Sequence, residues 1–229
     1  MRGTTWLRWL KIAWHITSLL LLPLLTFRLW RNLRFLRWAR EQAAPIAVPY
    51  PKVSVLVPAR NEAGTISACV HSLMNQDYLN IELIVLNDGS SDGTGEKLNN
   101  LAQRYPRLKV IHAQDDLPEG WNGKSYACQR LAERATGDWL LFTDADTEHT
   151  RQSIALGVAQ ARALEVALLS TFPYQITRSW SERILVSFII DFLPLIGLDF
   201  AGIWRGTSAS TAANGQYLLV RAMDYRALG

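Results

Sequence analysis

Asp144 and Asp146 stand one residue apart at the end of an apolar run, Trp139-Leu140-Leu141-Phe142, that Gly137 opens. The run has the length and aromatic content of a buried strand. Carboxylates leaving a strand in this way sit where open α/β sheets bind ligands. Two of them so close suit a hard divalent cation, which takes oxygen ligands and is commonly shared with substrate phosphates. The pair alone says little, because surface aspartates often serve turns and caps. Its company upstream gives it weight.

Three other segments place polar groups just after apolar runs or at a helix start. Val53-Ser54-Val55-Leu56-Val57 stops at Pro58, and Ala59-Arg60-Asn61-Glu62 follows as a loop. Ile81-Glu82-Leu83-Ile84-Val85-Leu86 is followed by Asn87-Asp88-Gly89-Ser90-Ser91-Asp92. Pro118-Glu119-Gly120-Trp121-Asn122-Gly123-Lys124 leads into a helix whose N-terminal amides favour phosphate, and Lys124 adds a formal charge. Each has a plainer reading. Arg60 and Glu62 could be a solvated loop and Lys124 a free surface lysine. Asp92 is expected to cap a helix, and Asp88, at the ligand edge, to bind.

The elements that must position these groups follow from the apolar pattern. Strands are expected at 53–57, 81–86, 108–112, 139–142 and 166–171. Helices are expected at 65–75, 124–135 and 151–164, with another ending near Tyr105. Strands alternating with helices of this length predict an α/β fold, a mostly parallel sheet with helices on both faces. Most of the polar motifs then fall on one edge of that sheet.

A chain of 229 residues can bury one such domain with an appendage. Its charge is uneven: residues 1–40 hold eight basic side chains and no acid, so a net charge of +4 leaves the remainder at −4. A mildly acidic body excludes a nucleic-acid binder, which needs a basic face on the folded domain. Cys69 and Cys128 are far apart and lack metal-ligand neighbours, so neither a disulfide framework nor a zinc site is expected.

The basic residues flank an apolar stretch from Ile12 to Phe27, with Trp6, Trp9, Trp14 and Trp30 around it. That pattern predicts a membrane anchor with interfacial aromatics. Five arginines from Arg28 to Arg40 place the rest of the chain in the cytoplasm by the positive-inside rule. The expected organisation is an anchor and basic segment at 1–42, a Pro-rich linker at 43–51, and the α/β domain at 52–229. Within that domain an apolar helix over 182–204, interrupted by Asp191, Pro194 and Asp199, is expected to lie on the bilayer surface.

Together, Val55-Leu56-Val57-Pro58-Ala59-Arg60-Asn61-Glu62, Leu86-Asn87-Asp88-Gly89-Ser90-Ser91-Asp92, and Gly137-Asp138 followed by Thr143-Asp144-Ala145-Asp146 resemble the family 2 glycosyltransferases. These are inverting enzymes with the GT-A nucleotide-sugar fold. The Gly120–Lys124 block and the anchor resemble the membrane-bound branch that glycosylates hopanoids, carotenoids and ceramides. The resemblance implies a bacterial inner-membrane hexosyltransferase using a nucleoside-diphosphate sugar, UDP in first place, on a lipid or other hydrophobic acceptor. It implies that Pro58, Ala59, Arg60 and Glu62 line the nucleotide pocket and that Asp88 binds the base edge. By the same resemblance Lys124 faces the diphosphate, while Asp144 and Asp146 hold Mn²⁺ or Mg²⁺.

In the family the general base follows the strand that matches Asn214-Gly215-Gln216 and a Gly-rich turn, and here it is expected past Gly229. The chain therefore reads as incomplete at its C-terminus, with a non-catalytic nucleotide-sugar-binding or interaction protein as the alternative. A nucleotidyltransferase would need a Gly-rich phosphate loop after the first strand, and Pro58-Ala59-Arg60-Asn61-Glu62 is not one.

Overall fold

The computed structural model describes residues 5–42, 50–113, 117–209 and 211–228. Most of the expected Pro-rich linker, 43–49, and Gly229 lie outside them. The chain forms two compact units: residues 1–41 with 174–212, and residues 42–173 with 213–229. The segment 174–212, expected within the α/β domain, thus groups with the N-terminal helix.

In the first unit, α1 (Thr5–Gln42) is one continuous helix of 38 residues containing Pro23. At about 1.5 Å per residue it is roughly 57 Å long, well beyond a hydrocarbon core of roughly 30 Å. From Arg8 onward it is long and apolar enough to cross a membrane, and its most apolar window is not buried in the protein.

The single apolar helix expected over 182–204 is instead a helical run over 180–197 that breaks at Leu198 before one more short helix. The run comprises α6 (Trp180–Val186), a π-helical stretch (Ser187–Phe192) and α7 (Leu193–Gly197), and α8 (Phe200–Trp204) follows the break. Ser179 and Glu182 form a capping box at the start of α6. Pro194, with no N–H to donate, stands where the π-helical stretch passes into α7. Leu198 is extended, and Asp199 then caps α8 by accepting from the Gly202 amide at 2.9 Å. The break is held by a fully buried polar residue of α1. Asn32 donates to the carbonyls of Leu195 and Leu198, both at 2.7 Å, and accepts from the Phe200 amide. Arg31 pairs with Asp199 at 3.0 Å.

The second unit is the α/β domain. Its strands are β1 (Val53–Ala59), β2 (Ile81–Asp88), β3 (Leu108–Ala113), β4 (Trp139–Phe142), β5 (Leu168–Ser170) and β6 (Leu218–Arg221). They lie in the order β3-β2-β1-β4-β6-β5. The first four are parallel, and β6 runs antiparallel between β4 and β5. Strand alternation divides the core. Val53, Val55 and Val57 face a layer holding α2 (Ile66–Met74), α3 (Thr94–Arg104) and α5 (Ser153–Ala163). Leu56, Leu140 and Phe142 face α4 (Gly123–Arg134) and α9 (Ala222–Ala227). Burying both faces explains the near-continuous apolar runs of β1, β2 and β4.

At the edge where β2 begins, Glu82 is buried and accepts from Ser54, Lys109 and both the amide and hydroxyl of Thr136. Burial pushes its carboxyl up, but those hydrogen bonds outweigh it and hold it well below the ordinary carboxylate range. Gly137 closes this edge: a Cβ there would come within 2.6 Å of the Ser54 amide nitrogen. The opposite edge, where β1, β2 and β4 end, carries the site.

Candidate functional site

Strand β1 runs further than expected, through Pro58 to Ala59, and β2 runs on to Asp88. Pro58 pairs in register with Leu86, and Ala59 with Asn87. The two loops after these strands are stitched together. Asn61, at φ 58°, gives its amide to the Ser90 hydroxyl and accepts from the Ser91 amide. The Glu62 amide donates to the Thr94 hydroxyl. Asp92 accepts from the amides of Thr94 and Ala63, tying the start of α3 to the first loop. The Thr94 hydroxyl bond is the main reason its carboxyl lies below the usual range. Asp92 thus serves the helix end, as expected, and braces the neighbouring loop as well.

Strand β4 ends beside Leu56, two residues short of Asp144. Here the chain turns: the Thr147 hydroxyl donates to the Asp144 carbonyl at 2.7 Å. From the other face comes α4, capped by Asn122, whose side chain accepts from the Ser125 amide at 2.8 Å. A helix start with free amides and a lysine thereby faces the ends of the strands.

A cavity of about 300 Å³ lies at this edge, lined by Pro58, Ala59, Arg60, Glu62, Asp88, Gly123, Lys124, Ala127, Asp144, Ala145 and Asp146. All eight residues singled out in the sequence are therefore brought to one cavity. Gly123, Ala127 and Ala145 were not singled out. Their smallness on the first turns of α4 and between the aspartates leaves room, and small size by itself gives no sequence signal. Lys124 Nζ is 2.6 Å from Asp144 Oδ1, and Arg60 is 3.7 Å from Asp88 Oδ2. Glu62 accepts from the Thr65 hydroxyl at 2.7 Å. A larger groove of about 700 Å³, lined by Pro51, Trp139, Arg162, Glu165 and Arg221, lies at the start of β4 and has no paired carboxylates.

Three groups are excluded from ionic chemistry in the cavity. Burial pushes the thiols of Cys69 and Cys128 up to about 12 and about 11, so neither is a thiolate nucleophile. Asp224 pairs with Arg221, whose strand position opposite Trp139 is the far edge of the sheet.

The residues present fit a divalent cation of a particular kind. Among the described residues no three His, Cys, Asp or Glu side chains surround one point. Asp144 and Asp146 line the cavity beside Lys124, while its other two carboxylates, Asp88 and Glu62, are held by Arg60 and by the Thr65 hydroxyl. One or two carboxylates suit Mg²⁺ or Mn²⁺ completed by water and phosphate oxygens, and do not suit a metal caged by protein alone.

The model of glycosyl transferase family 2 matches residues 54–220, and the chain belongs to that family. Its mixed α/β sheet is that of the GT-A fold. The 4,4'-diaponeurosporenoate glycosyltransferase of Staphylococcus aureus is 29% identical over 197 residues, which are 85% of this chain and 50% of the relative. A second form of that enzyme is 30% identical over 77% of this chain and 46% of its own length. The chain spans about half the length of the curated relatives it matches. Among solved structures, the mannosyltransferase of Pyrobaculum calidifontis in complex with GDP-Man and Mn²⁺ aligns with a TM-score of 0.60. That alignment has 22% identity and covers 91% of this chain and 57% of that one.

Proposed function

We propose that the chain transfers a sugar from a nucleoside-diphosphate sugar, most simply a UDP-sugar, to a hydrophobic acceptor at a bacterial membrane, with inversion and with a divalent cation. The observation that carries this reading is the convergence of Arg60, Glu62, Asp88, Lys124, Asp144 and Asp146 on one cavity at the ends of the parallel strands. In this reading Pro58, Ala59, Arg60 and Glu62 border the nucleoside, and Asp88 accepts from the base edge. Lys124 and the first amides of α4 bind the diphosphate by charge and dipole. Asp144 and Asp146 would hold Mn²⁺ or Mg²⁺, which when bound neutralises charge on the departing diphosphate. The acceptor hydroxyl then attacks the anomeric carbon from the face opposite the nucleotide, its proton taken by a base.

A diaponeurosporenoate acceptor in the name of the Staphylococcus relatives supports an apolar acceptor, and the Mn²⁺ of the Pyrobaculum neighbour supports the cation. The length and composition of α1 support an anchor at 1–42. Trp180, Ile184, Leu185, Phe188 and Ile189 are all exposed, which supports contact of α6 and the π-helical stretch with the bilayer surface. The arginines after the apolar stretch support a cytoplasmic site.

The test is release of nucleoside diphosphate, and formation of glycolipid, from UDP- and GDP-sugars with bacterial lipid extract. Both are expected to need a divalent cation and to fall sharply in Asp146→Asn. Release that ignores EDTA, or equal release by the variant, would count against the reading.

A further inference from the structure

Behind the two aspartates lies a buried polar network that the sequence does not announce. Thr143 is almost wholly buried, and its hydroxyl donates to the Gln216 carbonyl at 2.8 Å. The Thr147 hydroxyl donates to the Asp144 carbonyl at 2.7 Å. Each hydroxyl has one proton, and the two oxygens also lie 2.8 Å apart, where either can donate to the other. His149 Nε2 joins both, 3.0 Å from Thr143 Oγ1 and 3.3 Å from Thr147 Oγ1.

On the other side of the ring, Nδ1 lies 3.3 Å from the Ser153 hydroxyl, which also reaches Gln76 Oε1 at 3.1 Å, so the imidazole links the threonine pair to the start of α5 in either tautomer. The backbone beside it is held as well, since the His149 amide donates to the Ser72 hydroxyl at 3.0 Å. Burial pushes its pKa down to about 4, so the imidazole is neutral around pH 7.

We infer that His149 is a positioning residue of the cation site: its Nε2 hydrogen-bonds the hydroxyls of Thr143 and Thr147, and these clamp the turn that carries Asp144 and Asp146. Without that nitrogen the two hydroxyls lose their shared partner, and either can turn away from the Gln216 or the Asp144 carbonyl. The inference rests on the proposed cation-and-diphosphate reading of the two aspartates. It adds the second layer that fixes the ligand geometry, the kind of support whose loss typically weakens metal affinity about 10–100-fold.

The experiment is calorimetry of UDP and GDP with the full chain in detergent, with Mn²⁺ and with EDTA, for the wild type, His149→Phe and His149→Gln. Amide exchange at Thr147 is followed in parallel. Phe keeps the ring's bulk and loses the hydrogen-bonding nitrogen, whereas Gln places an amide group, able to donate or accept, near the position of Nε2. His149→Phe is expected to lose at least about tenfold in Mn²⁺-dependent affinity and to exchange faster at Thr147, and His149→Gln to recover most of both. Wild-type affinity and exchange in a folded His149→Phe would overturn the inference while leaving the site intact. If His149→Phe does not fold, Thr147→Val, which removes the clasp to Asp144 together with the bonds to Thr143 and His149, carries the same expectations. A wild-type chain that binds neither nucleotide under either condition would overturn the parent reading, and this inference with it.

Discussion

Lys124 Nζ lies 2.6 Å from Asp144 Oδ1, so the cation that a diphosphate would meet at the start of α4 is already paired with a carboxylate that a metal would claim. One contact therefore serves two opposed tasks. Without ligand it neutralises Asp144; with a metal-bound diphosphate the lysine can turn to the phosphate and free the carboxylate. Lys124 is more than half exposed, so the pair itself is worth about 1 kcal/mol or less.

Lys124→Met should therefore move two affinities in opposite directions. Affinity for Mn²⁺ alone should rise, by about fivefold at most given that ceiling. Affinity for UDP or GDP with Mn²⁺ should fall several-fold, since a charged hydrogen bond to phosphate is lost. Titration of the metal alone and of nucleotide with metal separates the two. A fall in both would mean that Lys124 supports the fold of the cavity rather than competing within it.

Acid should weaken the fold in two stages. His149, held neutral by burial, has its pKa lowered from 6.5 to about 4. Its contribution is thus complete above pH 6.5 and is lost as pH falls from there towards 4, up to roughly 3 kcal/mol in all. The Glu82 carboxyl lies below its ordinary 4.5, so its contribution stays until the pH drops beneath that value. Urea midpoints measured from pH 8 to pH 4 should fall with decreasing pH, and His149→Gln should flatten the limb between pH 6.5 and pH 4.5. An unchanged limb in the variant would assign that acid sensitivity to other groups.

Much of the site was legible because each polar motif follows a strand buried on both faces. Such strands read as unbroken apolar runs, and the point where the run stops marks the ligand edge. That logic brought Asp88 together with Asp144 and Asp146 from two separate segments. Lys124 was legible for another reason, the Gly-Trp-Asn-Gly start of its helix. What local pattern could not give was order in space. Strand β6, 76 residues beyond Phe142 along the chain, inserts antiparallel between β4 and β5, and no local period of Leu218–Arg221 specifies that partner. The roles of Glu82 and His149 were hidden likewise, because their partners are 28 and 54 residues away in one case and threonines with many ordinary uses in the other. The apolar run from Ile184 to Trp204 predicts one helix with interruptions at Asp191, Pro194 and Asp199. Which of the three ends it is not local information, because Asn32 holds the break at Leu198 through side-chain bonds to its carbonyl and to the Phe200 amide.

The membrane assignment has its own test. Single cysteines placed near Lys52 and before Trp6, in a background lacking Cys69 and Cys128, should behave oppositely in intact cells. The first should be shielded from an impermeant thiol reagent and the second labelled, because the arginines after the apolar stretch favour the cytoplasm. Labelling near Lys52, or release of the protein by alkaline carbonate, would contradict the anchor as described.

The most direct measurement of the central claim is calorimetry of UDP and GDP binding to the intact chain, with Mn²⁺ and then with EDTA, alongside Asp146→Ala. Binding of one nucleotide that needs the cation and drops at least about tenfold in the variant is what the cavity between β1, β2, β4 and α4 predicts. Affinity that is the same in EDTA and in Asp146→Ala would contradict it.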